Sequence, residues 1–299
     1  MNLSIIIVSW NVADLLKKCL VSIYQYTQGI SFEIFVIDND SQDETGKPGF
    51  FETWFDKKNF HLILNQKNLG FAAANNQGIK QSQGDFILLL NPDTELKKDS
   101  LFKMVEFMKK TTPLFSPPYQ RGVRVGIGIA GCHLENPDAS HQDSVRRFPG
   151  FWDQVLILLK VHHIFPRLSI FRCYLCTDFD YIRAQEVDQV MGAFFMIRRE
   201  VIEQIGLLDE KFYIWFEEVD FCLRARQAGW LTVYTPITSV IHHFGQSFKQ
   251  RRILEKQKIW TASLAYYFKK HHSWLKYVIL KMLCKILLKA QYFWFKFKI

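Results

Sequence analysis

Two aspartates stand directly behind hydrophobic runs of the sequence, where they could hold a metal ion and a diphosphate. Asp38 follows the run Phe32–Ile37, and Asp93 follows Phe86–Leu90 after an Asn-Pro turn that ends the strand. Mg²⁺ and Mn²⁺ prefer oxygen ligands and commonly use one or two carboxylates together with phosphate oxygens. A turn or helix-capping aspartate is the alternative interpretation of either residue taken alone.

A second candidate is a cluster of three carboxylates, Glu217, Glu218 and Asp220, in an aromatic stretch. Buried acids are costly unless they are paired or used, and crowding in an apolar cleft raises their pKa, which suits a general base. The same pattern fits a helix start, with Arg224 paired to Asp220 one turn later. We expect both: Asp220 and Arg224 are structural, and the two glutamates face the cleft.

Histidine and cysteine supply the remaining candidates for metal binding. His242 ends a short apolar run, and a histidine there can be a metal ligand, a base or a phosphate-binding group. Taken alone, it is more often a hydrogen-bonded core residue. Cys173 and Cys176 form a lone pair without a second pair at zinc-site spacing, so we expect them to pack rather than to bind metal.

The elements that position these residues alternate between strand and helix. The predicted strands are Leu3–Ser9, Phe32–Ile37, His61–Leu64 and Phe86–Leu90. One predicted helix begins at a capping Asp14, and two others cover 71–82 and 100–110. Continuous apolar strands joined by helices indicate a parallel sheet covered on both faces. Ligands bind beyond the carboxyl ends of such strands, where the polar clusters fall.

The second half of the chain is less regular. We predict strands at Val125–Cys132, 189–197, Leu231–Tyr234 and Ser239–His242, and helices at 199–205, Asp220–Ala228 and 249–270. Residues 136–150 have the composition of a loop. The aromatic-rich segment 151–186 has no clear periodicity and suggests a mobile flap.

Composition and charge narrow the classes of function. The chain has 299 residues, 48% of them hydrophobic, which is enough for one large domain or two small ones. Eight lysines and no acid follow from residue 269 onward, so most of the net charge of +9 lies in the tail. A nearly neutral body argues against a nucleic-acid partner. Scattered cysteines and the lack of a signal-peptide pattern predict a reducing, cytosolic compartment.

The basic tail has its own pattern. Lys281, Lys285 and Lys289 recur every four residues and give one basic stripe on a helix. Charges at this spacing argue against a spanning helix and favour an interfacial helix on an anionic membrane surface. Packing on the domain or in an oligomer contact is the alternative. We therefore predict a catalytic domain at 1–250 and a basic, amphipathic, membrane-associating tail at 251–299.

Taken together, these features resemble glycosyltransferase family 2, specifically its bacterial rhamnosyltransferase-like branch. The matching stretches, in order, are Ile7–Asn11, Val36–Ser41 with Asp43, Asn68–Asn76 with Gly78, Leu90–Thr94, Gly192–Ala193 with Arg198 and Arg199, Leu208–Glu210, Phe216–Asp220 with Arg224, and Ile241–Ser247. Each is weak alone, but eight in the right order are specific, and they cover most of the chain. The resemblance implies a GT-A fold: an α/β domain with a mostly parallel central sheet, helices on both faces and a Rossmann-like nucleotide-binding half, followed here by C-terminal helices.

The resemblance also implies roles for the matching residues. The nucleotide-sugar contacts would come from Ser9, Asp38, Asn39, Asn68, Gly70, Asn76, Asp93, Gly192 and Ala193. Asp93 matches the last acid of the family's Asp-x-Asp motif and, with His242, would hold Mg²⁺ or Mn²⁺, while Asn91 stands where the first acid often is. Glu218 falls where the family places its catalytic base, and Glu217 is the neighbouring alternative.

The implied reaction is an inverting transfer of a sugar from a dTDP- or UDP-linked donor to a hydroxyl of a cell-surface glycan or a lipid-linked acceptor, with rhamnose as one candidate sugar. Such an enzyme would work on the inner face of the cytoplasmic membrane, as a monomer or a homo-oligomer. A nucleotidyltransferase would want a glycine-rich basic loop after the first strand, which Ser9–Asn11 lacks. A non-catalytic nucleotide-sugar-binding or scaffolding protein would predict erosion of the strand-end acids, all of which are present.

Overall fold

The computed structural model describes residues 1–47, 49–55, 58–110, 126–245 and 251–297. The strands are β1 Leu3–Ser9, β2 Phe32–Asp38, β3 Phe60–Leu64, β4 Phe86–Leu90, β5 Thr94–Leu96, β6 Gly126–Glu135, β7 His141–Gln142, β8 Val145–Arg146, β9 Gln185–Val187, β10 Gln189–Val190, β11 Phe194–Arg198 and β12 Trp230–His242. The helices are α1 Ala13–Tyr26, α2 Glu52–Phe55, α3 Phe71–Gln81, α4 Ser100–Lys110, α5 Phe151–Leu158, α6 Val161–Ile164, α7 Ser169–Leu175, α8 Arg199–Ile205, α9 Glu217–Gln227, α10 Ile253–His271 and α11 Trp274–Phe297.

The predicted, mostly parallel sheet is confirmed. Its strand order is β3-β2-β1-β4-β11-β6-β12-β5, with β7 paired to β6 and β9 paired to β12. Strands β1 to β4 are parallel to one another, and β6 is parallel to β12. Strand β11 runs antiparallel between β4 and β6, and β5 runs antiparallel to β12. The carboxyl ends of β1, β2, β4, β6 and β12 therefore meet along one edge.

The apolar runs make this sheet because both of its faces are covered. In β1, Ile5 and Ile7 point into the cluster that includes α1 and α4, whereas Ile6 and Val8 point into the cluster that includes α3 and α9. Each strand thus alternates between two cores instead of between core and solvent. This explains why the strands read as continuous hydrophobic sequences.

Three of the predicted strands are divided or joined differently in the structure. The predicted strand 189–197 is split, because β10 pairs with β8 in a separate two-stranded sheet and β11 joins the main sheet. The predicted strands Leu231–Tyr234 and Ser239–His242 are one strand, β12, whose register with β6 shifts between Thr235 and Ser239. Pro236, which has no N–H to donate, lies inside that irregularity.

Helix starts also differ from the predictions. The first helix begins at Ala13, and Asp14 lies in its first turn without capping it. The carboxylate of Asp43, from the loop after β2, accepts a 2.8 Å hydrogen bond from the Ala13 amide in its place. Helix α9 begins at Glu217, so all three acids of the cluster lie in its first turn. Segment 151–186 contains the three short helices α5–α7.

The C-terminal helices pack on the domain. Leu264, Tyr267 and Phe268 of α10 share a core cluster with Phe212 and Phe216, which precede α9, and the cluster extends to α5 and α11. Across the described residues, no helix has the length and apolar character needed to cross a membrane. The predicted domain boundary at residue 250 stays a prediction, and the chain on either side of it shares one core.

Candidate active site

The carboxyl ends of β1 and β2 present two buried polar atoms to the sheet edge. Ser9 and Asp38 are paired in register, and both side chains are buried. Within the described part of the chain, Ser9 Oγ and Asp38 Oδ1 have no hydrogen-bond partner. Burial raises the pKa of Asp38, although hydrogen bonds from Ser41 oppose the shift. Buried polar atoms normally have partners, so this pair is suited to accept and donate hydrogen bonds to a ligand.

Asn39 has a different role from the predicted nucleoside contact. Its Nδ2 donates to Asn68 Oδ1 at 3.0 Å and to the Gly70 carbonyl at 3.2 Å. Its Oδ1 accepts from Asn65 Nδ2 at 3.1 Å and from the Leu69 amide at 3.0 Å. These four bonds use the whole capacity of the amide. Asn39 therefore holds the loop at 65–70 against β2.

The predicted pocket residues Asn68, Gly70 and Asn76 also organise loops. Asn68 Oδ1 accepts hydrogen bonds from the Gly70 amide and from the Tyr213 hydroxyl. Gly70 has φ +88, and a Cβ there would lie 2.4 Å from the Tyr213 carbonyl oxygen, so only glycine fits. Asn76 is buried and exchanges hydrogen bonds with the Leu208 main chain. All three position the segment that leads to α9.

Asp93 and His242 form a buried pair at the ends of β4 and β12. Asp93 is 5% exposed and His242 is 2% exposed. His242 Nε2 lies 3.3 Å from Asp93 Oδ1 and 3.4 Å from Asn91 Nδ2. The antiparallel pairing of β5 with β12 sets Thr94 opposite His242 and so brings the two residues together. Sequence reasoning predicted this pair, and the structure brings it together.

The tautomer of His242 follows from a chain of hydrogen bonds. Asn136 Nδ2 donates to the His141 carbonyl at 3.2 Å, so Asn136 Oδ1 accepts from Gln142 Nε2 at 2.8 Å. Gln142 Oε1 then faces His242 Nδ1 at 2.6 Å. Because Oε1 only accepts, Nδ1 carries the proton. Nε2 then faces the Asp93 carboxylate at 3.3 Å, an arrangement that a cation between the two groups would stabilise.

These two residues fit a divalent cation. Carboxylate oxygen binds Mg²⁺ and Mn²⁺, and neutral imidazole nitrogen binds first-row transition metals. A histidine ligand usually donates its other N–H to an outer acceptor, as Nδ1 does to Gln142. No cluster of three or more His, Cys, Asp or Glu in binding range occurs among the described residues. Two protein ligands leave positions for phosphate oxygens and water, as is usual for a nucleotide-bound cation.

Gly192 and Ala193 lie in the break between β10 and β11. The Ala193 carbonyl accepts a 3.1 Å hydrogen bond from the Asn91 amide, which ties this break to the Asp93 turn. A Cβ on Gly192 would meet no described atom within 4 Å. Among the described residues, Gly192 therefore borders open space beside the Asp93 turn, and its contact with the nucleotide sugar stays a prediction.

The start of α9 is held in a strained backbone. Trp215 and Phe216 both have positive φ, 65 and 71. Bulky residues rarely adopt this left-handed region, which costs roughly 1–3 kcal/mol for each residue. Phe216 is buried in the core shared with α10 and α11, and Ser263 Oγ of α10 donates to the Ile214 carbonyl at 2.8 Å. The C-terminal helices thus hold the turn that presents Glu217 and Glu218.

Glu217 and Glu218 are an acid pair with little solvation. Burial raises the pKa of Glu217 well above its usual value, and the charge of Glu218 raises it further. Burial also raises the pKa of Glu218. Oε2 of each residue has no partner in the described chain. Glu217 is 4% exposed, whereas Glu218 is partly exposed, so Glu218 is the more accessible of the two to a ligand.

Asp220 and Arg224 are structural, as predicted. Arg224 Nε donates to Asp220 at 2.8 Å and also binds the carbonyls of Ile205 and Leu207. Lys270 and His271 of α10 each lie 2.7 Å from Asp220 Oδ1. Burial opposes ionisation of Asp220, but these hydrogen bonds and the Arg224 charge outweigh it and lower its pKa.

Sequence reasoning missed Gln142, Tyr213 and Asn65. Gln142 lies in a segment read as loop, and Tyr213 and Asn65 act through partners that are distant in sequence. No local spacing marks such contacts. The sequence gives one usable signal for Gln142, which is its position in a loop-like segment. The fold places this segment at the ends of β6 and β12.

Relatives with similar sequences act on glycans. The chain is 27% identical over 247 residues to the low-salt glycan biosynthesis hexosyltransferase Agl10 of Haloferax volcanii. The aligned residues make up 81% of this chain and 67% of the relative. It is 24% identical over 260 residues to the N-acetylglucosaminyl-diphospho-decaprenol L-rhamnosyltransferase of Mycobacterium tuberculosis. This alignment covers 82% of this chain and 77% of the relative.

Other relatives are much longer proteins. The chain spans only 24% of the uncharacterized protein y4gI of Sinorhizobium fredii, at 26% identity over 246 residues that make up 80% of the chain. It spans 19% of the O-antigen biosynthesis protein RfbC of Myxococcus xanthus, at 28% identity over 270 residues that make up 89% of the chain.

Solved structures share the fold. The mannosyltransferase PcManGT from Pyrobaculum calidifontis, in complex with GDP-Man and Mn²⁺, aligns with a TM-score of 0.57 and 14% identity over 97% of this chain and 74% of that chain. GalNAc-T7 with UDP, GalNAc and Mn²⁺ aligns with a TM-score of 0.57 and 16% identity over 81% of this chain and 44% of that chain. The fold is therefore the GT-A fold.

The sequence model described as "Glycosyl transferase family 2" matches residues 4–178. This stretch is more than half of the chain and contains Ser9, Asp38 and Asp93. It ends before Glu217, which begins α9, and before His242, which ends β12. The chain belongs to glycosyltransferase family 2.

Proposed function

We propose that this protein is an inverting glycosyltransferase that moves a sugar from a nucleoside-diphosphate donor to a hydroxyl of a glycan or lipid-linked acceptor. The observation that carries the proposal is the buried Asp93–His242 pair, 3.3 Å apart, beside the open space at Gly192. A divalent metal ion and a diphosphate are chemically suited to that pair, and a sugar is suited to that space. Ser9 and Asp38 supply unpaired buried atoms for the nucleoside.

Asp93 and His242 would hold Mn²⁺ or Mg²⁺, which when bound would stabilise the negative charge of the leaving diphosphate. The tautomer fixed by Gln142 keeps the His242 Nε2 lone pair directed at Asp93. The neighbours PcManGT and GalNAc-T7 were solved with Mn²⁺, which supports a divalent cation here.

Glu218 is the proposed general base. Its raised pKa makes it a better proton acceptor than an ordinary carboxylate, and its Oε2 has no hydrogen-bond partner among the described residues. As that oxygen attacks the anomeric carbon, Glu218 takes its proton, and the bond to the diphosphate breaks on the opposite face. Glu217 raises the proton affinity of the pair, because two neighbouring carboxylates resist double ionisation.

The donor and acceptor classes rest on the relatives. A rhamnosyltransferase that acts on N-acetylglucosaminyl-diphospho-decaprenol is 24% identical over most of the chain. This supports a dTDP- or UDP-linked sugar such as rhamnose and an acceptor carried on a polyprenyl diphosphate, within cell-surface polysaccharide synthesis.

Helix α11 supports a peripheral position on the cytoplasmic membrane surface. Leu280, Cys284 and their neighbours pack on the domain, whereas a second stripe on α11 is exposed and apolar, and it consists of Leu275, Ile279, Met282 and Ile286. At about 100° per residue, Lys281, Lys285 and Lys289 fall between the two stripes. An exposed apolar stripe bordered by lysines suits an anionic bilayer. A symmetric contact between two copies would instead bring their lysines together.

Calorimetric titration with dTDP, UDP and GDP, with and without Mn²⁺, tests the donor site. We expect metal-dependent binding of a uridine or thymidine diphosphate that is lost in Asp93→Ala and kept in Asp14→Ala, an exposed first-turn aspartate. If no nucleotide binds under either condition, the enzyme proposal is wrong.

Turnover separates an enzyme from a binding protein of the same fold. With dTDP-rhamnose and a polyprenyl-diphospho-N-acetylglucosamine acceptor, we expect Glu218→Gln to lower kcat by about 10²–10⁴-fold while donor affinity is unchanged. The anomeric proton coupling in the product reports inversion. Tight donor binding without transfer to any acceptor in a panel would support the scaffolding alternative.

A further inference from the structure

Helices α5–α7 expose a second group of large apolar side chains. They are Trp152, Leu159, Ile164, Phe165 and Leu168, with Ile164 72% and Trp152 67% exposed. Every residue from His163 to Ser169 is exposed to solvent. Isolated exposed apolar residues are common, but a contiguous run of them marks an interaction surface.

This surface adjoins helix α11. Val155 and Leu158 of α5 lie in the same core cluster as Leu280 and Cys284 of α11. The inner faces of the two elements therefore pack together, although more than a hundred residues separate them in sequence. Their outer apolar side chains therefore lie on two elements that pack against each other.

The charges of α5–α7 match those of the tail. No Asp or Glu occurs between Gln154 and Thr177. Lys160 and Arg167 are exposed among the apolar side chains. Apolar side chains interleaved with cations are attracted to a bilayer that carries anionic headgroups. A second copy of the same basic surface would be repelled by it.

The surface also lies near the proposed chemistry. Tyr174, near the end of α7, is partly buried, and burial together with the charge of Glu218 raises its pKa. The Tyr174 carbonyl accepts a 3.0 Å hydrogen bond from the Arg147 amide, and the Leu175 carbonyl accepts from Arg146. The α5–α7 segment is thus tied to the region of the base at one end and exposed at the other.

We infer that the exposed turn His163–Ser169, with Trp152 and Leu159, inserts into the same anionic phospholipid bilayer as the outer stripe of α11. This rests on the membrane association proposed above and adds a second, independent point of contact. Two contacts fix the orientation of the domain, whereas one helix leaves it free to rotate about its axis. A polyprenyl-linked acceptor would then leave the bilayer beside the α5–α7 segment that leads to Glu218.

Vesicle co-sedimentation tests the inference on the full chain. The vesicles are phosphatidylglycerol with phosphatidylethanolamine, compared with phosphatidylcholine alone. The variants are Ile164→Ser/Phe165→Ser in the turn, Ile279→Ser/Ile286→Ser in α11, and the control Leu64→Ser, whose side chain is 63% exposed at the end of β3. We expect each double variant to lower partitioning to anionic vesicles roughly tenfold or more, and the control to match wild type.

The outcomes separate the two proposals. If the turn variant binds like wild type while the α11 variant does not, the inference is wrong and the tail proposal stands. If wild type itself does not bind anionic vesicles, both are wrong. If the turn variant instead lowers the sedimentation mass of the protein in solution, a second copy covers this surface.

Trp152 provides a direct measure of depth. Brominated lipids quench tryptophans that enter the acyl region, and we expect Trp152→Phe to remove part of that quenching without changing binding as strongly as the turn variant. Trp274, 74% exposed at the start of α11, serves as the comparison for the tail contact. Quenching that is unchanged in Trp152→Phe would overturn insertion at this site.

Discussion

Replacing Gln142 with leucine should weaken Mn²⁺ binding by roughly 10- to 100-fold, the usual effect of losing an outer-shell partner of a histidine ligand. Gln142 does not face the proposed cation itself. It accepts the 2.6 Å hydrogen bond from His242 Nδ1 and thereby keeps the Nε2 lone pair directed at Asp93. Leucine has a similar volume and no polar atom, so the variant removes this bond, together with the donation of Gln142 Nε2 to Asn136, and changes little of the packing.

The size of the effect follows from burial. His242 is 2% exposed, so its Nδ1 proton has no access to water once the glutamine is gone. A buried donor without a partner costs about 1–3 kcal/mol. At about 1.4 kcal/mol per tenfold change in affinity, the cost of the unpaired Nδ1 donor is of the same size as the expected roughly 10- to 100-fold loss of Mn²⁺ affinity. The ring can avoid the cost by moving its proton to Nε2, which removes the metal ligand instead.

The assay is the electron paramagnetic resonance signal of free Mn²⁺, titrated with protein at saturating nucleotide. Gln142→Glu keeps an acceptor for Nδ1 and should stay within a few-fold of wild type, although it loses the donation to Asn136. Gln189→Leu is the matched control, because Gln189 is also buried and bonds a carbonyl, that of Arg147, at 2.8 Å. Long-range ¹H–¹⁵N spectra of labelled histidine report the tautomer.

Equal Mn²⁺ affinity in Gln142→Leu and wild type would refute the reasoning, because the orientation of His242 would then not matter for the metal. An equal loss in Gln142→Leu and Gln189→Leu would refute it as well, since it would show a general loosening of the fold. A spectrum of the wild-type protein with the proton on Nε2 alone would contradict the hydrogen-bond assignment directly.

Four further outcomes are expected from the same structure. Nucleotide affinity should fall as pH drops through the raised pKa of Asp38, because protonation removes an acceptor, and calorimetry of Asp38→Asn should lack this dependence. Glu217→Gln should raise Tm at neutral pH, with the gain disappearing in acid: a carboxyl with a raised folded pKa loses stability as pH rises from its unfolded to its folded pKa. Gly70→Ala should lower the free energy of unfolding in urea by at least about 1 kcal/mol more than Gly206→Ala, because both glycines have similar backbone angles but only Gly70 has a carbonyl oxygen 2.4 Å from the new Cβ. Gly192→Ala should leave Tm unchanged yet weaken binding of the sugar donor relative to the free nucleoside diphosphate, since its Cβ enters open space.

The main sheet and its polar edge were predictable from the sequence. Runs such as Leu3–Ser9 and Phe86–Leu90 are apolar throughout because both of their faces are covered, and this pattern is specific to parallel sheets between helices. Once strands are parallel, their carboxyl ends share one edge, so Asp38 and Asp93 had to lie on the same side. The placement of both residues follows from this rule alone.

The roles of individual side chains at that edge were not predictable. Asn39 follows Asp38 directly, yet its amide is used up by Asn65, Asn68 and the main chain, whereas Asp38 keeps an unpaired oxygen. The division between a ligand contact and a loop support depends on partners 26 to 31 residues away. The break at Gly192 also depends on distant partners, because β10 pairs with β8 in a separate sheet whereas β11 joins the main sheet.

The C-terminal helices connect the membrane proposal to the catalytic one. Asp220, one turn from Glu217, is held by Lys270 and His271 of α10 as well as by Arg224. The core that contains Phe216 also contains Leu280 of α11. The strained turn before α9 is therefore stabilised by helices whose outer stripe remains free for a bilayer. The inner stripe of α11 and the ion pairs of α10 support the turn before α9, whereas the side chains of the outer stripe are exposed. We therefore expect substitutions on the outer stripe to change vesicle binding, and substitutions on the inner stripe to destabilise the turn that presents the two glutamates.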